Sequence, residues 1–494
     1  MERNGRLYAF LRRHRHELLD EAFQRELLGM YAQEKYGAPP VPPAMLALAT
    51  LLQAYEKRSD ASAVEQTVFD RRWQMVLDCH DADGPAFSQG VLVDFRRRLI
   101  EHGLDRRLLE RTVELARQTG GFGAAQLRVA LDSAPLWGAG RVEDTYNLIA
   151  HSTEVVVKCA AVAAGLSEEA VRAEAGLTLI GRSSIKAALD IDWDDVEARR
   201  LALQRLLGEV QRVRDWIDLK LAFAKEQPQL KEALALLAQV IEQDLEPDPS
   251  GGGKRIKRGT ARDRRISVTD GDMRHGRKSR SRVINGYKRH IARDLDSGLI
   301  LAVTARPANE PEAEAAAFLR PEVESFGEVA ELHIDRGYLA SAWVGELDAE
   351  SVVAKPWSTG NHGLTPKSAF DIDLAAGTVT CPQGEVAPIN GGKARFARTA
   401  CFACARRTDC TTAANGRSVA IHPQEPLLIH LRDAKTTPEG RSRLRQRTGV
   451  EHGLAHLCRR QGPRARYTGV RKNVFDLRRI AAVENLHAVD RILR

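Results

Sequence analysis

The sequence predicts a mixed α/β protein in which a helical N-terminal segment precedes an interrupted sheet. Residues 1–125 carry apolar side chains at helical spacing. Short apolar runs at 126–131, 299–303 and 330–334 indicate buried strands, and helical patterns return after residue 440. With 494 residues and 43% hydrophobic content, the chain has room for roughly two to four domains of about 150 residues each.

Charge and cysteine usage narrow the classes of function. The formal net charge is +8 and the pI about 9.1, which is compatible with a polyanionic partner. Residues 254–289 hold fourteen Lys and Arg against three Asp. Seven cysteines, four of them clustered, argue against a secreted disulfide framework and for a reducing cytoplasm. Neither a signal peptide nor an apolar run of about 20 residues is present, so we expect no membrane span.

The first element is a helical segment over residues 1–125. Its helical spacing is clearest at Leu19, Phe23, Leu27 and Met30. Further on, Ser88 can cap a helix whose apolar face includes Phe95 and Leu99. The basic residues of that helix are Arg96, Arg97 and Arg98. Two short helices with an Arg-rich second member fit a helix-turn-helix; the alternative is an ordinary amphipathic helix with a solvated basic face.

The later elements alternate between helix, strand and irregular chain. We expect helices over 150–243, a flexible linker at 246–253 and then a strongly basic loop. Two strands over 283–306 are joined at Asp296-Ser297-Gly298, a hairpin signal. Residues 346–435 are predicted to be irregular.

Two aspartates each follow a short apolar strand. Asp132 comes directly after the run 126–131, and Asp335 after 330–334. Carboxylates on adjacent strands would create a strong negative potential, and hard oxygen ligands favour Mg²⁺ or Mn²⁺. Two such ions about 4 Å apart can activate a water or a 3′-hydroxyl and stabilise the leaving oxygen of a phosphodiester. The alternative is a pair of ordinary strand-end aspartates.

Five segments occur in order along the chain: Val129-Ala130-Leu131-Asp132-Ser133, Asn285-Gly286-Tyr287-Lys288, Pro307-Ala308-Asn309-Glu310, Ile334-Asp335-Arg336-Gly337-Tyr338, and a tail from Arg466-Tyr467 through Arg471-Lys472 to Glu484-Asn485-Leu486. Together with the helix after Ser88, this order resembles the DDE transposases of bacterial insertion sequences. The resemblance spans nearly the whole chain except residues 150–250. It implies a ribonuclease H-like catalytic core behind a helical N-terminal domain, with a helical insertion and a Cys-rich insertion.

The resemblance also implies domain bounds: 1–125 for the helical DNA-binding domain, 126–149, 254–345 and 436–494 for the catalytic core, 150–253 for the helical insertion and linker, and 346–435 for the Cys-rich insertion.

The resemblance implies a third metal-binding acid on a late helix, in the pattern Tyr-x2-Arg-x3-Glu-x6-Lys that such families often show. Arg447 and Glu451 fit this spacing, whereas Leu444 stands at the Tyr position and Cys458 at the Lys position. Glu484 is the main rival. A surface ion pair between Arg447 and Glu451, which share one helix face, is the alternative interpretation.

As a transposase, the chain would bind the terminal inverted repeats of its element and cut a phosphodiester at each end. It would then direct the freed 3′-hydroxyl at target DNA. Asp132, Asp335 and Glu451 would hold Mg²⁺ or Mn²⁺. The expected partners are double-stranded DNA and further copies of the chain, with no membrane, in a nucleoid-associated cytoplasmic setting. A nuclease of the same fold and an inactive DNA-binding remnant are the rival functions.

The predicted DNA contacts are Arg96, Arg97, Arg277, Lys278, Tyr287, Lys288, Arg336, Arg447, Arg471 and Lys472. We expect the N-terminal helix to read sequence, and the basic segments 254–289 and 459–472 to grip phosphates. A strand tyrosine such as Tyr287 can instead pack in the core. Asp270 and Asp272 are expected to be solvated loop acids, and His333 to be structural.

Four cysteines are predicted to bind one structural Zn²⁺: Cys381, Cys401, Cys404 and Cys410. One Cys-x-x-Cys pair with two further thiols within about 30 residues can complete a tetrahedral site. The surrounding insertion is poor in large apolar residues, so metal would help it fold. The alternative is four ordinary thiols.

Overall fold

The computed structural model describes residues 5–31, 39–80, 84–123, 126–249, 251, 253–277 and 282–494. The N-terminal segment is helical, as predicted. Its helices are α1 (Arg6–Leu18), α2 (Glu21–Leu28), α3 (Pro43–Glu56), α4 (Asp60–Phe69), α5 (Arg71–Leu77), α6 (Gln89–Glu101) and α7 (Asp105–Gln118). Ser88 caps α6 by accepting from the Val91 amide, as the sequence predicts. These helices share one continuous hydrophobic core with the sheet that follows.

A helical insertion follows the first strand, β1 (Gln126–Trp137). Its elements are α8 (Thr145–Ala164), α9 (Glu168–Glu174), α10 (Ile185–Leu189), α11 (Val196–Lys220) and α12 (Pro228–Asp244). It has a hydrophobic core of its own. Among the described residues no single helix is long and apolar enough to cross a membrane; α8 and α9 together meet that test only as a pair bent by 103°.

The segment predicted as a flexible linker, 246–253, connects two short strands, β2 (Leu245–Pro247) and β3 (Lys254–Ile256), which pair antiparallel. The strands of the central sheet that follow are β4 (Arg274–Arg277), β5 (Val283–Asp294), β6 (Ile300–Pro307), β7 (Glu328–Ile334) and β8 (Val352–Ala354). Helix α13 (Glu312–Glu324) lies between β6 and β7 in sequence, and α14 (Ala342–Gly345) lies between β7 and β8. The predicted hairpin between β5 and β6 is confirmed, and Gly298 in its turn has φ +74°.

Strand β5 is the hub of the central sheet. It pairs antiparallel with β1 along one edge, and with β6 and the short β4 along the other. Strand β1 pairs in parallel with β7, and β7 in parallel with β8. The order is therefore β6–β5–β1–β7–β8, with β4 prolonging the β6 edge.

The Cys-rich insertion is more regular than predicted. It contains β9 (Asp371–Asp373), β10 (Thr378–Thr380), β11 (Val386–Asn390), β12 (Lys393–Arg395), α15 (Arg398–Ala403), α16 (Arg407–Cys410) and β13 (Ser418–Ala420). Its strands form a separate antiparallel sheet over a small core that includes Phe370 and Phe396. The expectation of an irregular segment is therefore wrong, because a few alternating apolar side chains suffice to cover one face of a short meander.

The chain closes with α17 (Glu425–Thr436), α18 (Pro438–Gln446), α19 (Thr448–Gln461) and α20 (Val470–Ile492). The last three fall in the region where late helices were predicted, whereas α17 lies in the segment predicted to be irregular. Helix α20 is buried along most of its length and packs against α3, α7 and β6. Helix α19 packs against β1. The C-terminal helices thus join the N-terminal segment to the sheet.

Candidate active site

Asp132 and Asp335 lie where two parallel strands separate. The last paired residues of β1 and β7 are Ala130 and His333, and both aspartates stand two positions further on. Strand β7 ends at Ile334, whereas β1 continues to Trp137 and remains paired with β5 alone. Asp132 is therefore inside a long strand, not at its end as predicted. The two carboxylates still meet at one place, because the split between the strands opens a cleft there.

Helix α19 carries the third predicted acid, Glu451, and Arg447 links this side chain to Asp132. Arg447 donates to Asp132 Oδ1 at 2.9 Å and to Glu451 Oε1 at 3.3 Å. The Asp132 side chain is 14% exposed and that of Glu451 is 53% exposed. The rival Glu484 lies on α20 and is paired with Arg460 at 2.6 Å. The geometry therefore places Glu451, and not Glu484, beside Asp132.

The electrostatics of Asp132 indicate a site that needs a cation. Burial raises the pKa of Asp132, the Arg447 guanidinium and the Ser133 amide oppose this rise, and the negative charges of Asp335 and Glu451 add to it. Asp132 is thus close enough to Asp335 and to Glu451 to be affected by both negative charges. Arg447 currently supplies the compensating charge.

Carboxylate oxygens suit Mg²⁺ or Mn²⁺. In the part of the chain that the structure describes, however, no three His, Cys, Asp or Glu side chains are grouped to hold a metal. At the split, Arg447 lies between Asp132 and Glu451 and contacts both. The residue types fit a divalent ion, and the spacing would have to tighten around it.

The cleft beside these acids is lined by cations. It has a volume of about 820 Å³, and Asp335 and Glu451 lie on its wall. Its basic side chains are Arg336, Lys355, Lys435, Arg441, Arg445 and Arg447. Only Arg336 and Arg447 were predicted. Arginines occupy every second position from 441 to 447, and this pattern could have indicated Arg441 and Arg445 in the sequence. Of the two lysines, Lys355 follows β8 and Lys435 lies in α17.

A fourth acid borders the site and was also missed. Glu312 begins α13 and accepts a hydrogen bond from Ser133 Oγ at 2.6 Å. A β-carbon on Gly337 would collide with Glu312 Oε2 and would lie 3.1 Å from Asp335 Oδ1, so these carboxylates face each other across the glycine. Behind them, burial raises the pKa of Tyr338, and the charges of Glu312, Asp335 and Asp132 raise it further. Gly337 therefore lets two carboxylates approach closely.

Tyr287 is not available to DNA. Its ring is fully buried, and its hydroxyl donates to Asp270 Oδ1 at 2.5 Å. Asp270 is itself 1% exposed and also accepts from the Gly469 amide, while Asp272 accepts from the Val470 amide at the start of α20. The predictions of a phosphate-binding tyrosine and of a solvated Asp270 are wrong, because both side chains anchor the last helix.

Lys288 and Arg277 line a smaller cavity beside Ser133 and Glu312. The Lys288 ammonium donates to the Glu310 carbonyl at 2.9 Å. Lys278 lies outside the described residues. His333 is fully buried and hydrogen-bonded to Glu331 at 2.7 Å, which agrees with a structural role.

The basic face predicted for α6 is largely absent. Arg96 is 7% exposed and makes a bidentate pair with Asp60 at 2.6 and 2.7 Å. Arg98 lies over the Tyr31 ring. Arg97 is exposed and paired with Glu101 at 2.8 Å. The prediction that Arg96 contacts DNA is wrong, since its charge is used inside the N-terminal helices.

The two predicted contacts at the start of α20 differ from each other. The Arg471 side chain is 43% exposed and pairs with the buried Asp105 of α7. Its Nη1 atom donates to Asp105 Oδ2 at 2.8 Å. This ion pair gives Arg471 a structural role between two helices. Lys472 is exposed.

The four cysteines of the insertion line one cavity of about 310 Å³ together with Arg406, Arg407 and Arg417. Burial raises the pKa of the Cys410 thiol, Arg417 opposes this, and Cys401 and Cys404 add to the rise. Within the described residues the four sulfurs do not form a metal-binding group as they stand. They share a cavity without being preassembled.

Two family models match the chain. A model described as "Transposase DDE domain" matches residues 380–489, which include Glu451, and one described as "Transposase domain (DUF772)" matches residues 6–98. Asp132 and Asp335 lie between the two matched segments. No curated protein and no solved structure shows significant similarity to the chain.

Proposed function

We propose that this chain, which resembles DDE transposases of insertion sequences through both matched segments, cuts and joins DNA at the split between β1 and β7. The observation that carries the proposal is the meeting of Asp132, Asp335 and Glu451 beside a cleft lined by six Lys and Arg side chains. Acids that hold metal and cations that neutralise phosphates are the two requirements of phosphodiester chemistry.

The strand arrangement supports a ribonuclease H-like core. A long central β5 runs antiparallel between β6 and β1, and the parallel β7 and β8 complete the other half. This order places Asp132, within β1, beside the end of β7, which is what the proposed chemistry needs. The helical and Cys-rich insertions lie between elements of this core and do not interrupt a strand.

Asp132 and Asp335 would hold Mg²⁺ or Mn²⁺, with Glu451 completing the site. The bound ions would activate the attacking oxygen and stabilise the leaving oxygen. For this to happen Arg447 must release Asp132, and the incoming phosphate gives its guanidinium a new partner. The lysines and arginines of the cleft then hold the DNA backbone against the acids.

The partners in this proposal are the ends of the element, a target DNA and further copies of the chain, because two ends must be held together. The N-terminal segment would contribute to recognition of the terminal repeats. Among the DNA contacts predicted in the N-terminal segment and in α20, Arg97 and Lys472 are exposed. Arg96 has no part in this recognition.

Strand transfer is the reaction that tests the proposal. Purified protein is incubated with Mg²⁺, a duplex from the DNA flanking its gene and a supercoiled target. We expect cleavage at the repeat end and covalently joined products. Cleavage without joined products would instead indicate a nuclease, and binding without cleavage would indicate an inactive remnant; either result contradicts a transposase.

We further propose that Cys381, Cys401, Cys404 and Cys410 bind one Zn²⁺ when the metal draws the four thiols together in their shared cavity. Metal analysis of purified protein is expected to find about one equivalent, which Cys401→Ser or Cys404→Ser reduces. Cys159→Ser, in the helical insertion, is the matched control and should leave the zinc content unchanged. A folded, zinc-free preparation that still cuts DNA would show that these four cysteines are ordinary thiols and not zinc ligands.

A further inference from the structure

A basic seam lies where the N-terminal helices meet the loop between α19 and α20. We define it as Lys57, which follows α3, together with Arg459, Arg464 and Arg466. All four side chains are exposed. They come from chain segments some 400 residues apart in sequence, so the seam exists only in the folded protein.

The contacts that build the seam leave its charges available. Lys57 Nζ donates to the Arg459 carbonyl at 2.8 Å, and Arg466 donates to the Arg58 carbonyl at 2.9 Å. A carbonyl accepts a hydrogen bond without neutralising the cation. A cavity of about 350 Å³, lined in part by Lys57, Ser59 and Arg466, opens between the two segments.

The carboxylates that border the seam are each paired with an arginine outside it: Asp60 with Arg96 at 2.6 Å, Asp476 with Arg479 at 2.5 Å and Glu484 with Arg460 at 2.6 Å. Arg466 approaches Asp60 only to 3.9 Å. Over the described residues, the seam therefore carries an excess of positive charge.

The seam is held rigidly to the strand that carries Asp132. The Trp137 amide donates to the Pro463 carbonyl at 2.9 Å, and the Ala465 amide donates back to the Trp137 carbonyl at 2.6 Å. The buried Arg289 adds a clamp, since it donates to the Pro135 and Gly462 carbonyls at 2.8 and 3.0 Å. Arg464 therefore sits beside the end of β1.

The distance from Asp132 follows from the strand. Trp137 lies five positions after Asp132 along β1, which at a rise of about 3.3 Å per position is roughly 17 Å. Duplex DNA rises about 3.4 Å per base pair. A duplex whose cut bond lies at Asp132 and which follows β1 reaches the seam after about five base pairs.

We propose that the basic seam binds the phosphate backbone of double-stranded DNA about five base pairs from the bond that is cut. The position of that bond rests on the proposed function; the binding of DNA by the seam does not. A DNA backbone is favoured over a free anion because the seam is hydrogen-bonded through Trp137 to the strand that carries Asp132.

The test compares two triple variants in the full-length protein. The seam variant is Lys57→Gln, Arg464→Gln and Arg466→Gln. The control variant is Lys186→Gln, Arg200→Gln and Lys231→Gln, which removes the same charge from side chains of the helical insertion that are already paired with Asp144, Glu197 and Glu226. Binding to a duplex from the DNA flanking the gene is measured over a range of salt, and phosphate contacts are mapped by ethylation interference.

We expect the seam variant to bind more weakly and to lose about 0.9 from the salt slope for each phosphate contact removed. Interference should disappear about five base pairs from the cut and persist at the cut. Seam and control variants that bind alike would overturn the proposal, as would an unchanged interference pattern. If the wild type binds but never cuts, the proposed function fails while a weakened seam variant still supports the seam. Arg464→Gln alone, checked by its melting temperature, serves if the triple variant is unstable.

Discussion

Asp132→Asn and Asp335→Asn are each expected to abolish DNA cleavage while DNA binding stays near the wild-type level. Each change removes one charged metal ligand at almost constant shape. A bound metal contributes several kcal/mol to the stability of the transition state, so we expect a loss of at least about a thousandfold. Cleavage is measured with Mg²⁺ and Mn²⁺, and binding by gel shift.

The matched control for this prediction is Asp433→Asn, an exposed aspartate of α17, which should cut like the wild type. Glu451→Gln and Glu484→Gln extend the test to the third acid. Only the first should match the aspartate variants, because Glu484 is committed to Arg460. Near-normal cleavage by Asp132→Asn or Asp335→Asn would remove that residue from the site.

Arg96→Gln is expected to lower the free energy of unfolding, whereas Arg97→Gln on the same helix should change it little. Arg96 is buried and its loss leaves Asp60 without its main partner. Removing one member of a fully buried pair costs about 3–5 kcal/mol. Because the Asp60 side chain is 28% exposed, solvent screens part of this cost. We therefore expect Arg96→Gln to lower the free energy of unfolding by about 2 kcal/mol. The exposed Arg97 pair should contribute little, because solvent screens it.

The same pair predicts a dependence of stability on pH. The hydrogen bonds from Arg96 lower the pKa of Asp60 to about 2. A carboxyl whose pKa is lowered by folding stabilises the native state above its ordinary pKa of 3.8, and this contribution is lost as the pH falls toward 2. Urea unfolding at several pH values should therefore show a shallower acid dependence in Arg96→Gln than in the wild type. Equal stability of the Arg96 and Arg97 variants at neutral pH would contradict the role assigned to the pair.

Much of the architecture could be predicted from local patterns. The helical spacing of Phe23 and Leu27, the cap at Ser88 and the hairpin between β5 and β6 all depend on residues within a few positions of one another. Such signals survive in sequence because helix and strand have fixed periods. The positions of Asp132 and Asp335 after apolar runs belong to the same class, although the local pattern did not show that β1 continues past Asp132 to Trp137.

What the sequence by itself determined was therefore the helical N-terminal segment, the hairpin between β5 and β6, the last helices and the resemblance to transposases. The tertiary structure alone decided which charges face outward. Arg96 is buried by Asp60, 36 residues earlier, and Arg447 reaches Asp132, 315 residues away. Tyr287 is buried on Asp270, and Lys57 joins Arg459 across 402 residues. A charged side chain looks the same in sequence whether it pairs internally or faces DNA, because its partner comes from a distant element that only packing brings near.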